Sequence, residues 1–244
     1  GKSKYPVHLK IETGMNRLGF RPEDLEELTQ YLISQPEVHV KSVYSHLAES
    51  GNSDQSFTRS QLLKFERATS HLSKKLNYRF LKHICNTDGI INYPEAHFDM
   101  VRLGIGLLGY AKLPGLEHAV TMKTRISKIN QIQSGESLGY DRSYFATEDK
   151  KIAVLPIGYA DGFRRLFGNR VGHVVIDGTA CKILGNVCMD MCFADVSELS
   201  NLQNLEVELI GPHVTINDWA QWAGTIPYEI ITAFSPRINR IWVE

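Results

Sequence analysis

The chain has 244 residues, 43% of them hydrophobic, and its 27 basic and 27 acidic side chains cancel to zero formal net charge. That length and apolar content suit one or two ordinary globular domains with a sizeable core. Balanced charge without a basic run leaves no electrostatic footprint for nucleic acid or an anionic membrane surface, and no apolar stretch is long enough to cross a bilayer.

The N-terminus, GKSKYPVHLK, has no signal-peptide-like apolar region, so the expected compartment is the cytoplasm. It also begins without Met, as a fragment or a processed product would. VHLKI (7–11) reads as a strand, and PEDLEELTQYLISQ (22–35) as a helix with Leu25, Leu28 and Leu32 on one stripe. VKSVYSH (40–46) is the next strand and FTRSQLLKFERATSHLSKK (57–75) a long amphipathic helix. RFLKHICN (79–86) is a third strand, and DMVRLGIGLLGY (99–110) a fourth, carrying Arg102. Alternation of this kind means parallel strands joined by crossovers. Four such units fill about 110 residues, half of an eight-stranded barrel.

From about His118 the pattern changes to short β-rich runs punctuated by turn residues: RISKINQI, KIAVLPIGY, GHVVIDGTACKILGNVCMDMCFADV and NLEVELIG. A small helical region follows near 217–233. The expected fold class is therefore α/β plus β, a half TIM-type barrel over 1–116 followed by a mostly β domain over 117–244. Cys85, Cys181, Cys188 and Cys192 form no Cys-x-x-Cys pair and read as free thiols, with no metal expected. A strand over 186–193 would put Cys188, Asp190 and Cys192 on one face.

Ligands of a parallel α/β barrel sit at the C-terminal ends of its strands. The polar residues there are Lys10 and Glu12, with Arg17 in the following loop, then His46, Thr87 and Arg102. Lys10 and Glu12 read equally as a structural ion pair. Arg102 has Gly104 and Gly106 on its own face, which leaves a slot beside a side chain that offers only hydrogen-bond donors. The slot calls for a flat group presenting an acceptor; Asp99 or Glu12 are the partners available within the chain.

The segments HLKIETGMNRLG (8–19), SVYSH (42–46), NTDG (86–89), FDMVRLGIGLLG (98–109), LPIGYADGF (155–163), NVCMDM (186–191) and YEIITAFSPRINR (228–240) together resemble the pyridoxal-phosphate-dependent alanine racemases. They occur in that family's order along nearly the whole chain. The resemblance implies an eight-stranded α/β barrel followed by a β domain, in a head-to-tail homodimer. It makes Arg102 the donor to the pyridine nitrogen of pyridoxal 5'-phosphate, keeping that nitrogen unprotonated. Thr87, where the family usually has serine, would bind the phosphate with the backbone around Gly104 and Ile105 and the phenol of Tyr228. Tyr159 resembles the base that takes the proton of L-alanine, contributed across the dimer interface to the other subunit's cofactor, and His46 the residue that hydrogen-bonds it. Arg17 resembles the partner of the cofactor's phenolic oxygen and of the substrate carboxylate, which Met189 of the partner subunit would also meet through its backbone N–H. Lys10 matches a lysine that is often carbamylated, the new anion holding Arg17 in place.

The family's second base is the lysine that anchors the cofactor, on the first barrel strand in a segment like AVVKANAYGHG. No such segment occurs here, and Lys41, Lys82 and Lys182 match no such motif. The resemblance thus implies the second half of the barrel plus the β domain, inactive alone. The missing N-terminal half and a second copy of the chain are its expected partners, alanine its substrate, and D-alanine for peptidoglycan the product of the parent enzyme. Alternatives are a racemase of broader substrate range, or a non-catalytic dimerisation and base-donating module of a longer bifunctional chain.

Overall fold

The computed structural model describes residues 4–111, 113–200 and 206–243. They fall into two compact units, the chain up to Leu107 with Ala111–Leu116, and Leu108–Tyr110 with the chain from Glu117 onward. No helix among the described residues is long and apolar enough to cross a membrane.

The first unit runs β1 (Tyr5–Lys10), α1 (Leu25–Ser34), β2 (Val38–Tyr44), α2 (Ser56–Leu76), β3 (Leu81–His83) and α3 (Thr87–Asn92). Its strands form a parallel sheet in the order β1-β2-β3. Pro22 opens a single 3-10 turn, Pro22–Asp24, before α1, because its fixed φ suits a first turn and its missing N–H costs nothing there. Leu25, Leu28 and Leu32 of α1 then meet Leu9, Ile11, Val40, Val43, Phe65 and Leu72 in one buried cluster. A fully buried side chain such as Phe65 or Leu72, each 0% exposed, contributes about 1.5–3 kcal/mol of transfer free energy. The left-handed Asn77 (φ 54°) ends α2 and turns the chain into β3.

Two expectations for this unit are corrected. The third strand is confined to Leu81–His83, and the segment 99–110 is not a strand. It runs beside β3 with two backbone bonds, Asp99 N–H to Lys82 O (3.1 Å) and Arg102 N–H to Cys85 O (3.0 Å), then coils into a 3-10 turn at Ile105–Leu108. Two features redirect it. Phe98 sits at φ 47°, and the amides of Gly104 and Gly106 go to the Thr87 hydroxyl instead of a strand ladder.

The second unit is antiparallel. It contains β4 (Met122–Arg125), β5 (Lys128–Ile132), β6 (Ser137–Leu138), β7 (Tyr144–Phe145), β8 (Lys150–Leu155), β9 (His173–Ile176), β10 (Thr179–Lys182), β11 (Cys192–Asp195), β12 (Glu206–Ile210), α4 (Ile216–Ala223) and α5 (Pro227–Thr232). The sheets are ordered β10-β9-β12-β4 and β11-β8-β5, with a β6-β7 hairpin. Residues 204 and 205, the start of the NLEVELIG run, lie outside the described residues. Asp177 and Gly178, at φ 46° and 74°, make the β9–β10 turn, the left-handed pair that an Asp-Gly hairpin requires. Thr215 and Asp218 exchange hydrogen bonds at the start of α4. Trp219 of that helix is fully buried, packs edge-on against Phe163, Phe167 and Phe234, and donates its indole N–H to Leu209 O at 3.0 Å.

The expected strand over 186–193 begins only at Cys192. Residues 186–191 form a loop closed by Cys188 N–H to Met191 O (2.8 Å), so Cys188, Asp190 and Cys192 do not share a strand face. Asp190 instead pairs with Arg237 at 2.7 Å.

Candidate active site

In the first unit the hydrogen bonds converge on Arg102. Asp99 is occupied elsewhere, by the Arg79 guanidinium (3.1 Å) and the Lys82 amide (2.9 Å). Glu12 turns back on its own loop and accepts from the amides of Gly14 and Arg17. Neither carboxylate meets Arg102, and Glu12 makes no ion pair with Lys10. The guanidinium instead donates from Nη1 to His83 Nδ1 (2.6 Å), and from Nη2 to Ser45 O (2.7 Å), Ile84 O (3.1 Å) and His46 Nδ1 (3.3 Å). Every one of these acceptors is formally neutral. Its Nε–H makes no hydrogen bond among the described residues. A half-buried cation without a counter-charge, with its Nε–H and one Nη1–H to spare, is costly unless a further acceptor meets it.

His46 is held by a polar cluster that the sequence did not single out. Gln61, buried on α2, donates to His46 O (3.1 Å) and Thr13 Oγ1 (3.2 Å) and accepts from the Ala48 amide (2.9 Å). Thr13 and Ser45 share a hydroxyl bond of 2.8 Å, and Ser45 donates to Ile11 O at 2.7 Å. The loops after β1 and β2 are thereby tied together without a charge. Burial first, then Arg102, Arg17 and Lys10, push His46 toward its neutral form. The side chains of Lys10 and Arg17 make no hydrogen bond or ion pair among the described residues.

His83 is more strongly perturbed. Burial, followed by Arg102 and His8, lowers its pKa from 6.5 to about 4. In the unfolded chain the ring takes up its proton near pH 6.5, whereas in the folded unit it does so only near pH 4, so the unfolded state binds more protons in between. The contribution, about 3 kcal/mol, is complete above pH 6.5 and is lost as pH falls through that window to about 4. Denaturant midpoints measured across this range should drop with acid, and His83→Gln should flatten the drop. An unchanged slope in that variant would assign the acid sensitivity to other groups.

Thr87 is buried at the start of α3, where Asn86 caps the helix by accepting from the Gly89 amide at 3.0 Å. The Thr87 hydroxyl oxygen accepts from the amides of Gly104 (3.0 Å) and Gly106 (3.3 Å), which leaves its own proton to donate. A Cβ at Gly106 would stand 2.8 Å from Thr87 Cγ2, so the glycine there makes room for threonine. Ile105, between the two glycines, is buried.

Tyr159, Met189 and Tyr228 belong to the second unit. The Tyr159 amide donates to Cys188 O (3.1 Å) and the Ala160 amide to Met189 O (3.0 Å), joining the loop at 158–163 to that at 186–191. A Cβ on Gly158 would lie 2.3 Å from the carbonyl oxygens of Cys188 and Met189, so this approach needs glycine. Asp161 accepts from the Gly158 amide (2.9 Å) and from Arg237 Nε (2.6 Å), and Arg237 also reaches Asp190 (2.7 Å). The backbone is clamped while the Tyr159 side chain stays 45% exposed. Met189 and Tyr228 are also exposed, and Tyr228 is not tied to the other two.

Sequence reading did not single out Ser42, Ser45, Gln61 or His83 as supporting groups, nor the Asp161–Arg237 pair. The available signal was polar residues inside otherwise apolar runs: Ser42 in VKSVYSH, His83 in RFLKHICN, Gln61 in SQLLKF.

Comparison with known proteins converges on one family. Residues 1–112 match the family model described as alanine racemase, N-terminal domain, and residues 119–242 that described as alanine racemase, C-terminal domain. An alanine racemase of Desulforamulus reducens is 33% identical over 249 residues, covering 97% of this chain and 66% of its own length. One of Symbiobacterium thermophilum is 36% identical over 247 residues, covering 97% of this chain and 65% of its own. The chain thus spans about two thirds of the length of these curated relatives. The structure of alanine racemase from Bartonella henselae, with covalently bound pyridoxal phosphate, superposes with a TM-score of 0.89 at 30% identity, over 98% of this chain and 67% of that one. The alanine racemase of Streptomyces lavendulae gives 0.91 at 28% identity, over 99% and 67%.

Proposed function

The chain belongs to the alanine racemase family, and from that premise we propose that it is the second half of the barrel (1–116) plus the C-terminal β domain (117–244) of an enzyme that interconverts L- and D-alanine. The observation that carries the reading is the Arg102 guanidinium, surrounded by neutral acceptors and keeping its Nε–H uncommitted. Pyridoxal phosphate fits the donors present. Arg102 would meet its ring nitrogen, an acceptor, while the Thr87 hydroxyl, the Ile105 amide and the Tyr228 phenol would meet its phosphate, joined by the Gly104 amide once it turns from Thr87 Oγ1. When bound, that cofactor supplies the electron-withdrawing ring that acidifies the alanine Cα–H.

The rest of the chemistry falls to side chains. Tyr159 of the partner subunit accepts the Cα proton of L-alanine, with His46 as its hydrogen-bond partner. Arg17 and the amide of Met189 of the partner subunit hold the substrate carboxylate, and Lys10, carbamylated, steadies Arg17. Arg102 donates without giving up its proton, so it would leave the cofactor's ring nitrogen unprotonated and the ring a weaker electron sink, which would limit side reactions. A cytoplasmic homodimer supplying D-alanine for peptidoglycan belongs to the same proposal.

The outer edge of β1 pairs with no other described strand, Lys10 O at its end alone taking the Phe20 amide of the following loop, which supports the half-barrel reading. Beside it lies a groove of about 590 Å³ lined by Val7, Leu9, Phe20, Leu28, Tyr31 and Val38. An apolar groove next to an unpaired parallel edge accommodates a further strand–helix unit.

With no segment matching the anchor lysine, the chain alone is expected to be inactive, because one group serves there as both anchor and base. The test is deuterium exchange at Cα of L-alanine in heavy water, with pyridoxal phosphate and a cofactor-only blank. The expected result is no exchange above the blank for the chain alone, and exchange once a polypeptide carrying the upstream barrel half of a relative is added. Exchange by the chain alone would overturn the inactive-half reading, and failure in both arms would remove the support for a racemase half.

A further inference from the structure

The side chain that orients Arg102 is His83, and His83 is itself held from its far side. The ring sits on β3 with Nδ1 2.6 Å from Arg102 Nη1 and Nε2 3.1 Å from Ser42 Oγ on β2. Ser42 Oγ in turn lies 2.6 Å from His8 Nδ1 on β1. The sheet register makes this contact possible: Ser42 pairs with His8 on one side and with Leu81, two residues before His83, on the other.

Elementary donor counting gives the first two bonds a single direction. An arginine offers only donors, so His83 Nδ1 carries no proton. The neutral ring therefore carries its proton on Nε2 and gives that hydrogen bond to Ser42. The hydroxyl keeps its own proton and a second lone pair, so it meets His8 Nδ1 whichever of the two donates. His83 thus uses each ring nitrogen once, with none left in conflict.

We propose that Ser42 is a positioning residue for Arg102, its hydroxyl being the link that fixes the His83 ring and, through it, the guanidinium. The inference rests on the proposed function only for what Arg102 is aimed at. The Tyr44 ring stacks on His83 at 5.2 Å and 4°, which sets the plane of the imidazole. Stacking does not choose which ring edge faces Arg102, because a half-turn of the ring keeps the same plane. That half-turn replaces Nδ1 by Cδ2 and Nε2 by Cε1, so it breaks the Arg102 and Ser42 bonds together. With Ser42 in place the ring is pinned at both edges; without it, at one. Ser42 is 1% and His83 6% exposed, so water does not readily substitute for the hydroxyl.

The test is ring-nitrogen NMR of the full chain, isotope-labelled at histidine, at neutral pH, with His83 identified by the signals lost in His83→Gln. The unsubstituted chain should show His83 as the tautomer protonated on Nε2, with that proton exchanging slowly. Ser42→Ala should speed its exchange about tenfold, the size of one lost buried hydrogen bond, and broaden the Arg102 Nε–H signal. Ser42→Thr, which keeps the hydroxyl, should restore both signatures. A ring protonated on Nδ1 or doubly protonated in the unsubstituted chain would overturn the proposal with no variant needed. Equal behaviour of Ser42→Ala and Ser42→Thr would overturn it as well. No cofactor or alanine enters these measurements, so their failure is distinct from failure of the racemase reading.

Discussion

Arg102→Met destabilises the first unit by about 2–4 kcal/mol and returns His83 toward an ordinary histidine titration, because three buried acceptors lose their donor at once. Those acceptors are Ser45 O, Ile84 O and His83 Nδ1, at 2.7, 3.1 and 2.6 Å from the guanidinium. Methionine fills much of the same volume, so the penalty comes from stranded polar groups and not from a cavity. The His83 shift has a definite sign. Arg102 is the second cause, after burial, of its displacement from 6.5 to about 4; without the cation the pKa rises, although burial still holds it below the unfolded value. Urea unfolding measures the first effect and titration of the His83 ring by NMR the second. An unmoved His83 titration would show that the guanidinium is not its partner in solution. In an enzyme assembled from this chain and an upstream half, the same substitution removes the proposed donor to the ring nitrogen, and racemisation should fall by orders of magnitude.

The second large effect is expected at Tyr159. In the assembled enzyme, Tyr159→Phe should lower kcat by about 10²–10⁴-fold, the range for loss of a positioned base, with little change in KM. The fold should be indifferent, because the side chain is 45% exposed and its hydroxyl makes no hydrogen bond among the described residues. The loop is carried by backbone bonds to Cys188 and Met189 and by the Asp161–Arg237 pair, none of which involves the phenol. Loss of Cα deuterium exchange starting from L-alanine should exceed the loss starting from D-alanine, since the proposed role is on the L face. Equal losses accompanied by a lowered melting temperature would make Tyr159 a structural residue.

Much of the local architecture was readable in advance. The stripe Leu25, Leu28, Leu32 and the Pro22 start predict α1, and the long amphipathic run predicts α2 to within a residue of its observed span, Ser56–Leu76. Asp177-Gly178 marks the β9–β10 turn, since a left-handed pair is a local steric requirement. Periodicity, capping and turn chemistry all act over a few residues, so a single sequence expresses them directly. The family resemblance was carried in the same way, by short segments in a fixed order.

What neighbours in sequence cannot settle, the tertiary structure decided. DMVRLGIGLLGY has the composition of a buried strand, yet the amides of Gly104 and Gly106 go to Thr87, 17 and 19 residues away, and the run coils instead. Arg102 could have met Asp99 or Glu12 by spacing alone, but each carboxylate is satisfied by nearer donors. The guanidinium takes acceptors 18 to 57 residues distant in the chain. Gln61, an unremarked polar residue in a helix, becomes the tie for the loop bearing His46 because α2 brings it there. The sequence by itself determined the helices, the tight turns and which residues carry donors. Which donor meets which acceptor was decided only on folding, because a buried hydrogen bond depends on the packing of segments that no local pattern encodes.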